Sequence, residues 1–146
     1  MKKINSFIVV AVLFAILLFS AVDAKSNNEK IKPEDAAISS AQKWLKIVDS
    51  EKYGEAWDKA AAYLKGAVSR ENFTSSLQGV RKPLGRILKR SLLSSTYTRT
   101  LPGAPDGEYV IIQFKTEFEN KKESVETVTP QKDKNGQWKV SGYYIK

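Results

Sequence analysis

The most regular alternation of apolar and polar residues in the chain runs from Glu108 to Glu119. Two sets of side chains fall on opposite sides of a ribbon of period two. The set predicted to face the core is Val110, Ile112, Phe114, Thr116 and Phe118, and the opposite set is Gln113, Lys115, Glu117 and Glu119. A ribbon with one largely apolar side is typical of a strand that packs on one face. The pattern therefore predicts a half-buried strand in the second half of the chain.

A rigid chain reversal is predicted immediately before this strand. Pro102 and Pro105 each fix the backbone φ angle and lack an N–H group. Gly103 and Gly107 permit the positive φ angles that tight turns use. The strand is therefore expected to follow another strand by a sharp turn.

The first half of the chain has a helical period instead. Pro33, Glu34 and Asp35 suit a first helical turn, because proline needs no N–H partner there and acids complement the helix dipole. The apolar stripe of this helix, which extends to about Ser50, is Ala37, Ala41, Trp44, Leu45 and Val48. A second helix is predicted from Tyr53 to Leu64, ended by Gly66, and a third after a cap at Ser69, ended by Pro83 and Gly85.

Three further strands are predicted around the central one, over residues 87–98, 124–131 and 137–145. Asn135 and Gly136 form the dipeptide of a tight hairpin between the last two. In the last strand, strict alternation puts Trp138, Val140, Gly142 and Tyr144 opposite Lys139, Ser141, Tyr143 and Ile145. The expected fold class is α+β, with three N-terminal helices packed on a curved, four-stranded antiparallel sheet.

The N-terminus has the organisation of a secretory signal peptide. Lys2 and Lys3 form a basic start, residues 7–19 are uninterruptedly apolar, and Val22-Asp23-Ala24 suits a signal peptidase. We predict a signal peptide over residues 1–24, a flexible leader over 25–32 and one domain over 33–146. The protein would be periplasmic or extracellular, cleaved after Ala24 and not membrane-spanning after cleavage, the alternative being an uncleaved anchor. The absence of cysteine excludes a lipobox.

The net charge and the missing residue types limit the classes of partner and of catalytic chemistry that the chain allows. The net charge of +8 favours anionic surroundings such as phospholipid headgroups, lipopolysaccharide or cell-wall polymers, although it also serves solubility. With neither His nor Cys, the chain has no imidazole base and no Ser-His or Cys-His nucleophile pair. A catalytic role would depend on acids, for which the candidates are Asp49, Glu55, Asp58 and Glu126. No cofactor, metal or nucleic acid is predicted, and an enzyme is not the favoured interpretation.

Several segments together resemble the DUF4019 family of exported bacterial proteins. They are Trp57, Arg81-Lys82-Pro83-Leu84-Gly85, Arg90, Leu101-Pro102-Gly103-Ala104-Pro105-Asp106-Gly107-Glu108-Tyr109 and Gly136-Gln137-Trp138-Lys139-Val140-Ser141-Gly142-Tyr143. The resemblance implies an NTF2-like or cystatin-like cone, in which helices and sheet enclose a cavity. The family has no assigned function, so the resemblance supports the fold more than any activity.

The candidate ligand-binding residues are Trp57, Arg81, Arg86, Arg90 and Glu126. The three arginines fall where the third helix meets the first strand, at the expected rim of the cone, and could hold a carboxylate or phosphate. The competing role for these arginines is an ion pair with Glu126 or Glu117, or a cap on the helix end. Trp57 would line the cavity or belong to the core.

A second candidate surface is the opposite face of the sheet. By strict alternation Tyr109, Ile111, Tyr143 and Ile145 would lie on that face as an apolar patch. The resemblance implies a homodimer through such a face, and singly exposed aromatic residues are the alternative.

The sequence thus supports three hypotheses. The favoured one is a non-catalytic exported protein that binds a small ligand or a partner protein in the cell envelope. The second is a structural homodimerisation module whose cavity is filled by its own side chains. The third is a carboxylate-dependent hydrolase or isomerase.

Overall fold

The computed structural model of the protein describes residues 30–146, in which helices precede strands as predicted. The helices are α1 (Pro33–Asp49), α2 (Tyr53–Asp58), α3 (Ala62–Ala67) and α4 (Arg70–Leu84). The strands are β1 (Ile87–Thr98), β2 (Tyr109–Phe118), β3 (Lys121–Lys132) and β4 (Trp138–Ile145). The signal peptide predicted over residues 1–24 and most of the predicted leader lie outside the described residues. Between residues 30 and 146, no helix combines the length and the apolar character needed to cross a bilayer.

The four strands form one antiparallel sheet in the order β1-β2-β3-β4, so each strand pairs with its neighbour along the chain. The helices pack on this sheet, and α1 contacts all four strands. The predicted α+β class with N-terminal helices on a four-stranded antiparallel sheet is therefore confirmed. The sheet is open and not strongly curled.

The core lies between the helices and the helix-facing side of the sheet. The predicted stripe of α1 is buried, including Trp44 and Leu45. All five β2 residues predicted to face the core are at most 1% exposed. Periodicity was sufficient here because both elements bury one whole side along their length.

The predicted second helix is two short helices, so the described chain has four helices rather than three. Ala61 interrupts it with extended backbone angles, φ −62° and ψ 150°. The Ala61 N–H donates to the carbonyl of Val140 in β4 at 2.8 Å and is thus unavailable to a continuous helix. Gly66 does not end the segment, because α3 continues to Ala67.

The strict alternation predicted for β4 is wrong beyond Val140. Thr129 pairs with Gly142 whereas Pro130 pairs with Val140, so β4 contains an extra residue at this point. A bulge of this kind reverses the faces of the residues that follow it. Tyr143 consequently turns towards the helices, with its ring centroid 5.3 Å from that of Trp44.

The apolar patch predicted on the outer face does not form. The bulge turns two of its residues towards the helices, and the loop between β1 and β2 covers a third. Tyr143 packs on the helix side, and Ile145 pairs with the fully buried Glu126. Tyr109 is itself fully buried, and its hydroxyl donates to the carbonyl of Pro105 in that loop at 2.5 Å. Of the four predicted interface residues, Ile111 alone remains partly exposed on the outer face.

Candidate functional site

Buried charges from four elements meet on the helix-facing side of the sheet. Asp49 ends α1, Arg81 lies in the last turn of α4, Arg90 projects from β1 and Glu126 from β3. Thr116 of β2 and Tyr143 of β4 complete the group through hydrogen bonds. We refer to these six residues as the arginine–carboxylate network.

Glu126 is fully buried, and both of its carboxylate oxygens are engaged. Arg90 donates to it from Nε at 2.6 Å and from Nη2 at 3.1 Å. The hydroxyl of Thr116 donates at 2.7 Å, and that of Tyr143 at 2.5 Å. A carboxylate can be kept charged in the interior when a cation and several donors replace its water in this way.

Asp49 closes the network at its more exposed end. Arg90 donates to both Asp49 oxygens, from Nη1 at 2.7 Å and from Nη2 at 3.0 Å. Arg81 Nη2 donates to the same carboxylate at 3.0 Å. The guanidinium of Arg81 also lies 5.1 Å from the ring centroid of Phe118, within range of a cation–π contact. Two arginines therefore balance two carboxylates.

The surroundings of the network shift the pKa values of Arg90 and of the Tyr143 hydroxyl. Burial lowers the pKa of Arg90, but the hydrogen bonds that Arg90 donates to the carboxylates of Asp49 and Glu126 outweigh this effect and raise that pKa above the usual range. Burial, reinforced by the Glu126 charge, raises the pKa of the Tyr143 hydroxyl, which therefore stays protonated as a donor. Neither arginine can lose its proton at ordinary pH.

This geometry changes the roles predicted for the arginines. Arg90 binds Glu126 through the Nε–Nη2 edge of its guanidinium and Asp49 through the Nη1–Nη2 edge. The bond to Glu126 is the ion-pair alternative that the sequence left open. Arg81 is 6% exposed and bound to Asp49. Arg86 forms an ion pair with Glu119 at the surface. Arg81 and Arg90 therefore do not form a vacant clamp for a ligand anion.

An open cleft of about 480 Å³ lies beside the network, between the ends of α1 and α4 and the start of β1. Its lining residues are Asp49, Glu51, Tyr53, Arg81, Lys82, Gly85, Arg86, Ile87 and Glu119. We call it the α1–α4 cleft. Asp49 and Arg81 belong to both the cleft and the network, so part of the cleft wall is held by ion pairs.

Glu51 and Lys82 bring two further charges to the α1–α4 cleft. Both side chains are exposed, and neither forms an ion pair with another residue of the described chain. They extend from different helix ends and have opposite signs. The cleft therefore offers a free carboxylate and a free ammonium group to a ligand.

The backbone at Glu51 is in the left-handed region, with φ of 60°. The conformation follows from the end of α1, where the Glu51 N–H donates to Val48 at 2.9 Å and the Lys52 N–H to Ile47 at 3.2 Å. This pair of bonds is the Schellman ending of a helix, at which glycine is the usual residue. A glutamate there costs about 1 kcal/mol or more. Residues with backbone strain of this kind cluster at functional sites, and Glu51 lies in the cleft.

Trp57 lies apart from the cleft and the network. Its indole Nε1 donates to the carbonyl of Val68 at 2.9 Å, and the ring packs against the core. Of the two roles left open for Trp57, the packing of its ring favours the core over a ligand cavity. The indole instead ties α2 to the segment that follows α3.

Sequence reasoning grouped the arginines with Glu126 but missed most of their partners. The sequence marks Asp49 only as a candidate catalytic acid, and its strict alternation places Tyr143 on the wrong face. Glu51 belongs to none of the motifs in the sequence, and Lys82 lies in a segment that indicates the family but gives no sign of a binding role. The signal that could have identified Glu51 is its position directly after an amphipathic helix, where an αL residue is common.

The network and the cleft both fall within the sequence shared with a known family. A family model described as a protein of unknown function, DUF4019, matches residues 40–143. The chain belongs to the DUF4019 family. The match runs from α1 to β4 and confirms the resemblance found in the sequence.

The comparison adds no activity to this DUF4019 protein. The family is described as having no known function, and no curated protein matches the chain. Within residues 30–146, no group of three or more His, Cys, Asp or Glu side chains is suited to hold a metal ion. The α1–α4 cleft and its surroundings are therefore the features of the described chain that bear on function.

Proposed function

We propose that this DUF4019 protein is a non-catalytic binding module of the cell envelope that holds a small zwitterionic ligand in the α1–α4 cleft. The observation that carries the proposal is the pair of free, oppositely charged side chains, Glu51 and Lys82, in one cleft. Glu51 would accept hydrogen bonds from an ammonium group, and Lys82 would bind a carboxylate or phosphate. Tyr53 contributes an aromatic surface to the same lining.

The network supports binding rather than catalysis. A general base needs a free lone pair on one of its oxygens, but both oxygens of the fully buried Glu126 accept hydrogen bonds, from three side chains in total. Asp49 is held by two arginines. These groups would keep the adjoining cleft in one shape, which lowers the entropy that a ligand must lose on binding.

The compartment is part of the proposal. It is supported by the basic start, the apolar run and the small residues near Ala24 in the sequence. The cleft is open to solvent between the ends of α1 and α4 and the start of β1. A ligand of the envelope would reach the cleft without crossing the protein interior.

Native mass spectrometry of the protein purified from its own compartment tests both parts. We expect a chain that begins at Lys25 and carries extra mass that disappears on denaturation. The double variant Glu51→Gln with Lys82→Gln should lose this mass. The control variant Glu34→Gln with Lys43→Gln also removes one carboxylate and one ammonium group, but from positions on α1 outside the cleft, and it should retain the mass. Equal retention in both variants would exclude the cleft as the binding site.

A second candidate is a homodimerisation module, because none of the helices within residues 30–146 packs on the outer face of the open sheet. Leu93 and Tyr144 are exposed by more than half, and Ile111 and Val125 are partly exposed on this face. They replace the patch predicted from the sequence. Light scattering of the eluted protein should then show a dimer that Tyr144→Lys converts to a monomer. A wild-type monomer would remove this candidate.

A further inference from the structure

The outer face of the sheet carries a basic patch at the end where β2 meets β3. Cross-strand pairing places Ser91, Lys115 and Val125 in one row, and Lys146 exchanges backbone hydrogen bonds with Val125 at 2.9 Å. Lys115 and Lys146 line one shallow hollow of about 220 Å³. A second hollow, of about 360 Å³, shares Lys115 and adds Lys89 and Lys122. The four lysines therefore form one continuous surface, which we call the lysine patch.

The charges of the lysine patch are not neutralised within the described chain. None of the four lysines forms an ion pair with a residue in the range 30–146. Two acids, Glu117 and Glu123, line the same hollows. The side chains of the hollows thus leave an excess of two positive charges. Such an excess on a flat sheet face attracts an extended anionic surface more than it attracts a small ion.

Exposed apolar side chains border the lysine patch. Leu93 is 56% exposed and lies at the irregularity between Leu92 and Ser94 in β1. Tyr144 is 59% exposed and pairs with Thr127 on the same face. Long lysine stems beside a leucine and a tyrosine are the combination found at lipid headgroups, where charges contact phosphates and apolar groups enter the boundary region.

We propose that the lysine patch docks this protein on an anionic phospholipid surface. Charge complementarity selects this occupant over a second copy of the chain, because two copies meeting at the patch would bring like charges together. Leu93 and Tyr144 would enter the headgroup layer and make the contact less sensitive to salt. The patch shares no lining residue with the α1–α4 cleft, so the proposal is independent of ligand binding there.

Cosedimentation with lipid vesicles tests the proposal. The chain is used without residues 1–24, whose apolar run would itself enter vesicles, since all described elements and the core lie in residues 33–146. Circular dichroism verifies that each variant is folded. We expect binding to mixed phosphatidylglycerol and phosphatidylcholine vesicles, little binding to pure phosphatidylcholine, and weakening by salt.

Matched variants separate the lysine patch from net charge. Lys115→Gln with Lys122→Gln should weaken binding roughly 10- to 30-fold, since both cations approach the phosphates. Lys59→Gln with Lys134→Gln removes the same charge from other surfaces and should change affinity by less than about twofold. Leu93→Ser should reduce the binding that persists at high salt.

Three results would overturn the proposal. They are no binding to anionic vesicles at low salt, equal losses in the two double variants, and equal binding to neutral and anionic vesicles. A patch-dependent dimer in the absence of vesicles, measured by light scattering, would assign the face to a second copy instead.

Discussion

Arg90 is the residue on which the buried charges of this protein depend. It contacts the carboxylates of both Glu126 and Asp49, and its side chain is 16% exposed. Removing water from charged groups is costly, and the cost is recovered only when each charge retains a well-placed partner. The loss of one residue of the arginine–carboxylate network should therefore destabilise the fold, because it leaves a buried charge without a partner. Replacing all the charged residues of the network by apolar ones would cost less.

Replacing Arg90 by Met should lower the free energy of unfolding by about 3–5 kcal/mol, because a buried Glu126 would lose its cation. Urea denaturation followed by circular dichroism measures the change. Arg86→Met is the matched control, since Arg86 pairs with Glu119 at the surface with its side chain 88% exposed. A comparable loss in both variants would show that the network does not contribute through burial.

Glu51 offers a test of strain at the cleft. Replacing it by Gly should raise the free energy of unfolding by about 0.5–1 kcal/mol, because glycine adopts the left-handed region without a Cβ conflict. The same change at Glu55, within α2, should lower it by about 1 kcal/mol. If Glu51→Gly also removes the ligand mass proposed above, the strain is retained for binding. Destabilisation by Glu51→Gly would contradict the interpretation of the φ angle.

At the scale of elements, side-chain and backbone hydrogen bonds set where the helices begin and end. The hydroxyl of Ser69 accepts from the Asn72 N–H at 3.2 Å and caps α4, as the sequence predicts. The break between α2 and α3 instead depends on Ala61, whose partner lies in β4. A helix cap formed by neighbouring residues can be predicted from the sequence, whereas a hydrogen-bond partner in a distant segment cannot.

The stability of a Ser69 variant tests whether this side chain caps α4. Ser69→Ala should reduce the free energy of unfolding by about 1 kcal/mol, since an N–H at the start of α4 loses its acceptor. Ser76→Ala, at an exposed position within the same helix, should be neutral or slightly stabilising. Thermal unfolding of the two variants side by side distinguishes the cap from a general effect of alanine. Similar changes in both would argue against the cap.

At the scale of the whole molecule, the ionisable groups predict how stability varies with pH. The chain contains no His, so no side chain with an ordinary pKa titrates near neutrality. Hydrogen bonds from Arg70 and Arg86 lower the pKa values of Asp58 and Glu119. The backbone N–H of Gln137 does the same most strongly for Asp133. Folding therefore favours the charged forms of these acids.

Stability should be nearly constant from about pH 6 to 9 and fall as acid protonates these carboxylates, below about pH 4.5. The sign follows because a lowered pKa stabilises the fold only while the acid is ionised. Above about pH 10 the raised pKa of Tyr143 predicts a second decrease, since the unfolded chain loses that proton first. Urea midpoints across this range measure the profile. A transition near pH 6.5 would contradict the assignment.

The sequence predicted the elements that depend on local periodicity. The α1 stripe, the core face of β2 and the bounds of β1 all follow from neighbours within a few residues of one another. The Arg90–Glu126 pair was among the stated alternatives, because both residues were assigned to strands of one sheet. The same reasoning failed at Tyr143, where one extra residue in β4 reverses the face.

What the sequence determined by itself was the α+β class, the order of most elements, the basic charge and the absence of imidazole and thiol chemistry. The tertiary structure decided which charges meet. It paired Asp49 with residues more than 30 positions away, turned Tyr143 inward and gathered four lysines on one outer surface. The physical reason is that helix and strand periods are set by local backbone geometry, whereas charge partners and bulges depend on contacts between segments distant along the chain.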